Sequence, residues 1–309
     1  MKRLGARRSA PTFDNPYAVP GRWWKVGLHM HTTNSDGHQP AERVIATYKK
    51  LGYDAIAITD HNFVTRVPAH RGRPVLIPAA EISGPPDILH LGATGAGKTD
   101  LGGKGIQTTI DRINEADGVA VVAHPAWSGL VDKDLLEAGG YVGIELWNQV
   151  AQDLNGTGRS VEIWDHLLAA GLRVWGFADD DAHFGWQGKP GTAWLWVKAA
   201  SPDPAAILGG LRRGSFHSTF GPRILDLRVG GGKIVVRTSP AVRSHLISSG
   251  IGSGGLQFAG GRPRTTWTWD IMKDQLNVTV YARIEVLDAS GRTAWSNPLF
   301  VEDNGIRFW

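Results

Sequence analysis

Between residues 25 and 220 short β-branched runs alternate with segments of helical periodicity, and this alternation restricts the chain more than any other feature. It is the signature of repeated strand–helix units. The strand candidates are residues 26–29, 55–59, 75–79, 88–92, 119–123, 142–146 and 173–178. Seven such strands predict an α/β fold in which the sheet closes, or nearly closes, into a distorted (β/α)7 barrel. Between the strands, Val44, Tyr48 and Leu51 recur at helical spacing after Pro40, with Gly52 placed to cap. Ile106, Ile110 and Ile113 repeat the pattern, as do Val161, Trp164 and Leu168 ahead of Gly171. These read as outer helices that cover the sheet.

Past Gly221-Pro222 the texture changes to alternating strands with Gly-rich turns: residues 234–237, 267–269, 276–286 and 295–301. Helical periodicity is weak there, which predicts a second, smaller all-β sandwich domain. At 309 residues the chain is long enough to divide its core in two. The expected division is a flexible arm over 1–22, the barrel over 23–221 and the sandwich over 222–309.

Composition removes several kinds of chemistry. With no cysteine, the chain has no disulfides, no thiolate metal site and no cysteine nucleophile. The net charge of +4 is matched by Lys2, Arg3, Arg7 and Arg8 alone, so it gives no ground for expecting nucleic acid as a partner. No run approaches the ~18 apolar residues of a membrane span, and no apolar signal segment follows Arg7-Arg8. The expectation is a cytoplasmic protein that meets neither membrane nor nucleic acid and acts on a small molecule.

Potential metal ligands repeatedly follow the apolar runs. The first run ends in His29-Met30-His31, where alternation places both imidazoles on one face. Ser35-Asp36-Gly37 follows, with a hard oxygen donor in a tight turn. Later runs end in Thr59-Asp60-His61-Asn62, in Ala80-Glu81, in His124-Pro125 and in Asp179-Asp180-Asp181-Ala182-His183. A lone histidine is most often an ordinary core or surface residue, but here five strand-end sites need one explanation. In barrels of parallel strands the C-terminal strand ends share one rim, where active sites lie.

The order of these sites, from His29-Met30-His31 through Thr59-Asp60-His61-Asn62 and Glu81 to Asp181-Ala182-His183, resembles the PHP (polymerase and histidinol phosphatase) family of metal-dependent hydrolases. Trp23-Trp24-Lys25 and Ala294-Trp295-Ser296-Asn297-Pro298 are similar to members with an appended β-domain, including the carbaryl-hydrolase-like branch. The resemblance implies a trinuclear site. His29, His31, Glu81 and Asp181 would surround one ion, Glu81 would bridge to a second held by His90 and His124, and Asp36, His61 and His183 would hold a third. Glu81, Asp181 and His183 are the expected catalytic residues. His90 lies within its strand run rather than after it, and Asp179 and Asp180 compete with Asp181, which is preferred for its two-residue spacing from His183. Imidazoles and carboxylates together suit Zn, Mn or Fe, with two or three divalent ions expected.

Residues 92–99 match the P-loop pattern G-x-x-x-x-G-K-[ST], but Asp100-Leu101-Gly102-Gly103-Lys104-Gly105 follows where a helix is needed, so a mobile loop is expected. Lys98 and Lys104 of that loop, Trp127, Asn148, Trp186 and His217 are the candidates for substrate contact, with a structural role open for Asn148 and His217. The absence of a G-x-S-x-G elbow argues against a serine hydrolase. Three readings follow: a phosphoesterase, a carbamate, ester or amide hydrolase on the same site, or a metal-stabilised binding protein without activity.

Overall fold

A computed structural model describes residues 11–302 apart from 69, 103–104, 186–187 and 250–253. The chain is a mixed α/β fold with one large sheet and short helices. The first seven strands that matter for the site are β1 (Arg22–Gly27), β2 (Ala55–Ile58), β3 (Val75–Ile82), β4 (Ile88–Leu91), β5 (Val119–Val122), β6 (Gly143–Asn148) and β7 (Trp175–Asp179). They lie side by side in that order. Helices α1 (Ala41–Lys50), α2 (Ile106–Glu115), α3 (Asp132–Leu136), α4 (Gln149–Asn155), α5 (Val161–Ala169) and α6 (Pro204–Arg212) occupy several of the connections.

Most of the expected helical stripes are buried, but Leu51 is exposed and Ile106 only half-buried. Val44, Ile45 and Tyr48 of α1, Ile110 and Ile113 of α2, and Val161, Trp164 and Leu168 of α5 all turn inward. Each fully buried aliphatic side chain contributes about 1.5–3 kcal/mol of transfer free energy. Strands β2 and β5 are buried on every residue, as strands covered on both faces must be.

A closed parallel barrel is not what forms. Strand β4 runs antiparallel to both β3 and β5, because residues 83–87 are too few for the crossover that a parallel pair requires. The connection from β2 to β3 also has no helix among its described residues; it carries the short strand Phe63–Val64, which pairs with Gly97–Lys98. Residues 92–99 are therefore held by a β-ladder rather than forming a free loop, and no helix opens there. The sheet does not close among the described residues. Its two ends approach at one parallel bridge, Met30 with Ala182, where Asp181 N–H donates to His29 O at 3.1 Å and His31 N–H to Ala182 O at 3.0 Å.

On the far side of β1 the sheet continues through β8 (Trp194–Ala199) and β9 (Phe216–Thr219), both antiparallel to their neighbours. Eight further strands follow: β10 (Ile224–Gly230), β11 (Lys233–Ala241), β12 (Arg243–Ser248), β13 (Gly255–Phe258), β14 (Arg264–Asp270), β15 (Tyr281–Leu287), β16 (Thr293–Ser296) and β17 (Leu299–Val301). Strand β9 pairs with β16, so the large sheet runs from the site-bearing strands into the C-terminal ones without a break. Strands β10, β11 and β14 make a separate three-stranded sheet. Ile224, Ile234, Val236 and Trp267 from that sheet share a second core with Leu246, Ile284 and Val286 from the large one. Residues 276–280, expected as the start of a strand, are irregular chain; the strand begins at Tyr281.

The segment expected as a flexible arm enters the fold from residue 11 onward, while residues 1–10 lie outside the described part. Phe13–Asp14 pairs antiparallel with β17, and the buried Tyr17 donates its hydroxyl to Phe216 O at 2.8 Å. An aromatic ring with a satisfied hydroxyl is a strong anchor for an otherwise loose segment. No described helix is long and apolar enough to cross a membrane.

Candidate metal centre

The cluster forms where β1, β2, β3 and β7 run out and their backbones stay laced together. Thr59 N–H donates to Met30 O at 2.9 Å, Glu81 N–H to Asp60 O at 3.2 Å and Asn62 N–H to Glu81 O at 2.7 Å. The side chains projecting from these segments therefore sit on a rigid platform. Asn62, His124 and Asp181 hold positive φ values of 50°, 30° and 54°, a conformation costly for residues with side chains and concentrated at functional sites. Gly37 folds the Ser35-Asp36 turn back on His31 so closely that a Cβ there would lie 2.5 Å from the His31 carbonyl carbon.

Glu81 is the centre of the arrangement. Its Oε1 lies 3.1 Å from His124 Nε2. Its Oε2 lies 3.1 Å from His29 Nε2, 3.3 Å from His31 Nε2 and 3.4 Å from His61 Nδ1. Asp181 Oδ1 is 3.3 Å from His29 Nε2 and 3.0 Å from His31 Nε2. Nearer solvent, Asp36 Oδ2 lies 3.1 Å from His183 Nε2 and 3.6 Å from His61 Nε2. Asp181, rather than its neighbours, enters the cluster. Asp179 accepts from Leu28 N–H, and Asp180 accepts from Tyr48 and the 191–193 backbone.

Three histidines have their outer nitrogen engaged while Nε2 points inward. His29 Nδ1 meets Glu145 Oε1 at 2.7 Å, His124 Nδ1 meets Ser128 Oγ at 3.2 Å and His183 Nδ1 meets the Asp181 carbonyl at 2.8 Å. Metal-binding histidines are oriented in this manner, because a partner on one nitrogen leaves the lone pair of the other facing the ion. His31 Nε2 and Asp181 Oδ1 are buried and face each other at 3.0 Å, out of line for a good hydrogen bond. Two lone-pair atoms so placed fit a shared cation, and four triads drawn from these residues, with a fifth of His61, Glu81 and Asp87, could hold one.

The electrostatics agree. Burial alone would lower His31, but the Asp181 and Glu81 carboxylates outweigh it and push the imidazole up to about 10. For His124 burial is likewise overcome, by Glu81, and the ring rises to about 9. Burial opposes the ionisation of Glu81, yet the surrounding histidines hold it well below the usual carboxylate range. The cluster therefore demands positive charge, which protons or divalent ions can provide.

His90 does not join this cluster. It is paired opposite Ala80, whereas Glu81 is opposite Leu89, so alternation puts His90 on the other face of the sheet from Glu81. It is buried against Gly118, with burial lowering it to about 4. The place expected for it is taken by Asp87, which lines the cleft with Glu81, His61 and His124. Burial and the nearby Glu81 raise Asp87, a cost that a cation between the two carboxylates would remove. Because β4 is reversed, its N-terminal end faces the rim, and the short 83–87 connection was the signal for this. Asp87→Asn is expected to weaken metal binding ~10–100-fold while His90→Leu leaves metal content unchanged, measured by metal titration of each variant. The reverse order would restore His90 as a ligand.

Glu145 is a second residue that strand-end reasoning missed. Fully buried, it receives His29 Nδ1, His124 N–H at 2.8 Å and Asn148 Nδ2 at 2.9 Å. A carboxylate inside an apolar strand run signals a partner, since an unpaired buried charge is costly. Asn148 is buried too. It donates to Glu145 and, at 3.1 Å, to Asp181, and caps α4 by accepting from Ala151 N–H. Its side chain is thus spent on Glu145, Asp181 and the start of α4.

Of the remaining candidates for substrate contact, Trp127 lines the cleft and is 44% exposed. Lys98 is exposed on the Gly97–Lys98 strand and is not among the residues lining the cleft. His217 is buried away from it, accepting from Ile224 N–H at 3.1 Å and packed edge-on against Trp23. Lys104 and Trp186 lie outside the described residues.

Residues 27–93 match the family model of the PHP domain. No curated protein matches the chain by sequence. Among solved structures, it is similar to a two-domain protein from Bacteroides vulgatus described as containing a PHP-like metal-dependent phosphoesterase. The two share 15% identity over 92% of this chain and 95% of the other, with a TM-score of 0.50, which shows a shared fold. Two weaker likenesses cover about half of this chain. A structure described as a metal-dependent phosphoesterase from Bifidobacterium adolescentis has 16% identity over 53% of this chain and 89% of its own, TM-score 0.37. An amidohydrolase from Chromobacterium violaceum, with bound sulfate and no metal, has 15% identity over 51% and 87%, TM-score 0.36.

Proposed function

We propose that this chain is a metal-dependent phosphoesterase that hydrolyses a small-molecule phosphate ester. The observation that carries the reading is the convergence of His29, His31 and His124 on the two oxygens of Glu81. His29, His31, Glu81 and Asp181 would hold one ion, Glu81, His124 and Asp87 a second, and Asp36, His61 and His183 a third. Two or three ions of the Zn, Mn or Fe type supply, when bound, Lewis acidity and a lowered pKa for water. In the reaction, water oxygen attacks phosphorus, the ester P–O bond breaks and the alcohol departs with a proton.

The chain's own residues set position and access. Glu145 and Asn148 hold His29 and Asp181 in register. The cleft encloses about 210 Å³, which suits a small substrate. One wall is apolar, built from Trp127 with Val150, Ala151 and Leu154 of α4, and no Lys or Arg is among the described residues lining it. That wall would seat an apolar leaving group and keep bulk water from it. We also read β1–β7 as a distorted, incompletely closed barrel and residues 222–309 as an appended β-sandwich domain.

The apolar wall and the lack of lining cations equally favour a second reading, hydrolysis of a carbamate, ester or amide at the same site. Metal-loaded protein assayed with p-nitrophenyl phosphate, bis-p-nitrophenyl phosphate and p-nitrophenyl acetate separates the two. Turnover of a phosphate ester well above that of the acetate is the expected result, and preference for the acetate would establish the second reading. Trp127→Ala should raise KM for aryl phosphates ~5–10-fold and change methyl phosphate little. Equal effects on both would remove Trp127 from the substrate wall.

A further inference from the structure

A cavity larger than the metal cleft lies elsewhere in the molecule. It encloses about 600 Å³ and lies outside β2 and β3, on the side of the sheet away from Glu81. Leu76 and Pro78 line it, and alternation along β3 puts both on the opposite face from Glu81. In a regular strand–helix unit a helix would cover this surface. Here the described part of the connection from β2 to β3 is the short strand Phe63–Val64 and irregular chain, which leaves a space between the sheet and residues 65–68 and 70–72. Val67, Val75, Leu76 and Pro78 are consequently only half-buried, although they pack beside fully buried neighbours.

The rim of this cavity has one sign of charge. Arg66, His70 and Arg71 line it, and no Asp or Glu is among its described lining residues. Arg66 is fixed in place, with Nε donating to Gly95 O at 2.8 Å and Nη2 to Ala93 O at 3.1 Å. Arg71 is held by its Nη1, which donates to His70 O at 2.8 Å. The volume falls in the range of small-molecule sites, which combine an apolar lining with a few placed polar groups. Two guanidinium groups over an apolar floor recognise an anionic end attached to an apolar body.

We propose that this cavity is a second binding site, separate from the metal cleft, for a small amphipathic anion: an aryl or medium-chain acyl body ending in a carboxylate or sulfonate. The body lies against Val67, Val75, Leu76 and Pro78, and the anionic end meets Arg66 and Arg71. The inference is independent of the function proposed above, since it concerns equilibrium binding on the other face of the sheet.

The test uses the full chain with 1-anilinonaphthalene-8-sulfonate as a fluorescent probe and decanoate and decanol as competitors. The expected result is saturable binding of about one probe per chain, displaced by decanoate at concentrations at least tenfold below those of decanol, because a charged partner recognises only the anion. Leu76→Trp, which fills the floor, and Arg71→Gln, which removes an exposed cation, should each weaken binding about tenfold. Trp127→Ala, on the metal cleft, should leave it unchanged. Non-saturable binding, equal displacement by decanol, indifference to both cavity variants or loss of binding in Trp127→Ala would each overturn the proposal.

Discussion

Replacing Glu81 by Gln is expected to abolish metal-dependent turnover and to remove more than one ion per chain. The reason is geometric. Glu81 faces four histidines with two oxygens, so the amide substitution replaces a shared anionic acceptor by one neutral oxygen and an NH2 that competes for the same space. Even partners one step removed from an ion cost ~10–100-fold when lost, and a ligand at the centre should cost more than ~100-fold in activity. Elemental analysis and turnover of the best ester, measured on wild type and Glu81→Gln, check this together. A variant that keeps full metal content and activity would end the reading of this cluster as a catalytic metal centre. Thermal denaturation distinguishes loss of ions from loss of fold, since ion binding to the native state alone raises the transition temperature by mass action.

The second large effect is on stability. Arg283 of β15 is buried, and its Nε and Nη2 each donate to Asp165 of α5 at 2.7 Å. Tyr281 donates to the same carboxylate at 3.0 Å. This fork ties the C-terminal strands to a helix that covers the site-bearing sheet. Asp165→Ala leaves a buried guanidinium with only Glu285, 3.5 Å away, as a compensating charge. Breaking a fully buried pair by removing one partner costs ~3–5 kcal/mol. The Asp165 side chain is 27% exposed, so a loss of about 2–3 kcal/mol is expected. Urea denaturation followed by fluorescence would read it as a lower midpoint, and an unchanged midpoint would show that the fork contributes no net stability.

Strand positions and buried helical faces were legible because they depend on local periodicity. Trp164 and Leu168 of α5 are buried where spacing put them. The clustering of side chains was legible where a strand ends at the rim in chain order, as at His29, His31, Glu81 and Asp181. The pattern failed at β4, whose reversal exchanges which end of the strand meets the cleft, so Asp87 entered and His90 turned away. Glu145 and Asn148 escaped notice as ligand-positioning residues because their partners are 116 and 33 residues away, in His29 and Asp181. Over residues 11–22 the loose arm was misjudged for a similar reason: the edge strand that receives Phe13–Asp14 lies at the far end of the chain.

The sequence by itself determined the kinds of chemistry open to this protein. Cysteine is absent, so imidazole and carboxylate are left as the metal donors, and their recurrence after apolar runs marks where they gather. Only the tertiary structure decided which of them meet, how far the sheet closes and which carboxylates orient the histidines. Each of those depends on strand direction and on contacts between residues distant in the chain, which local pattern does not encode.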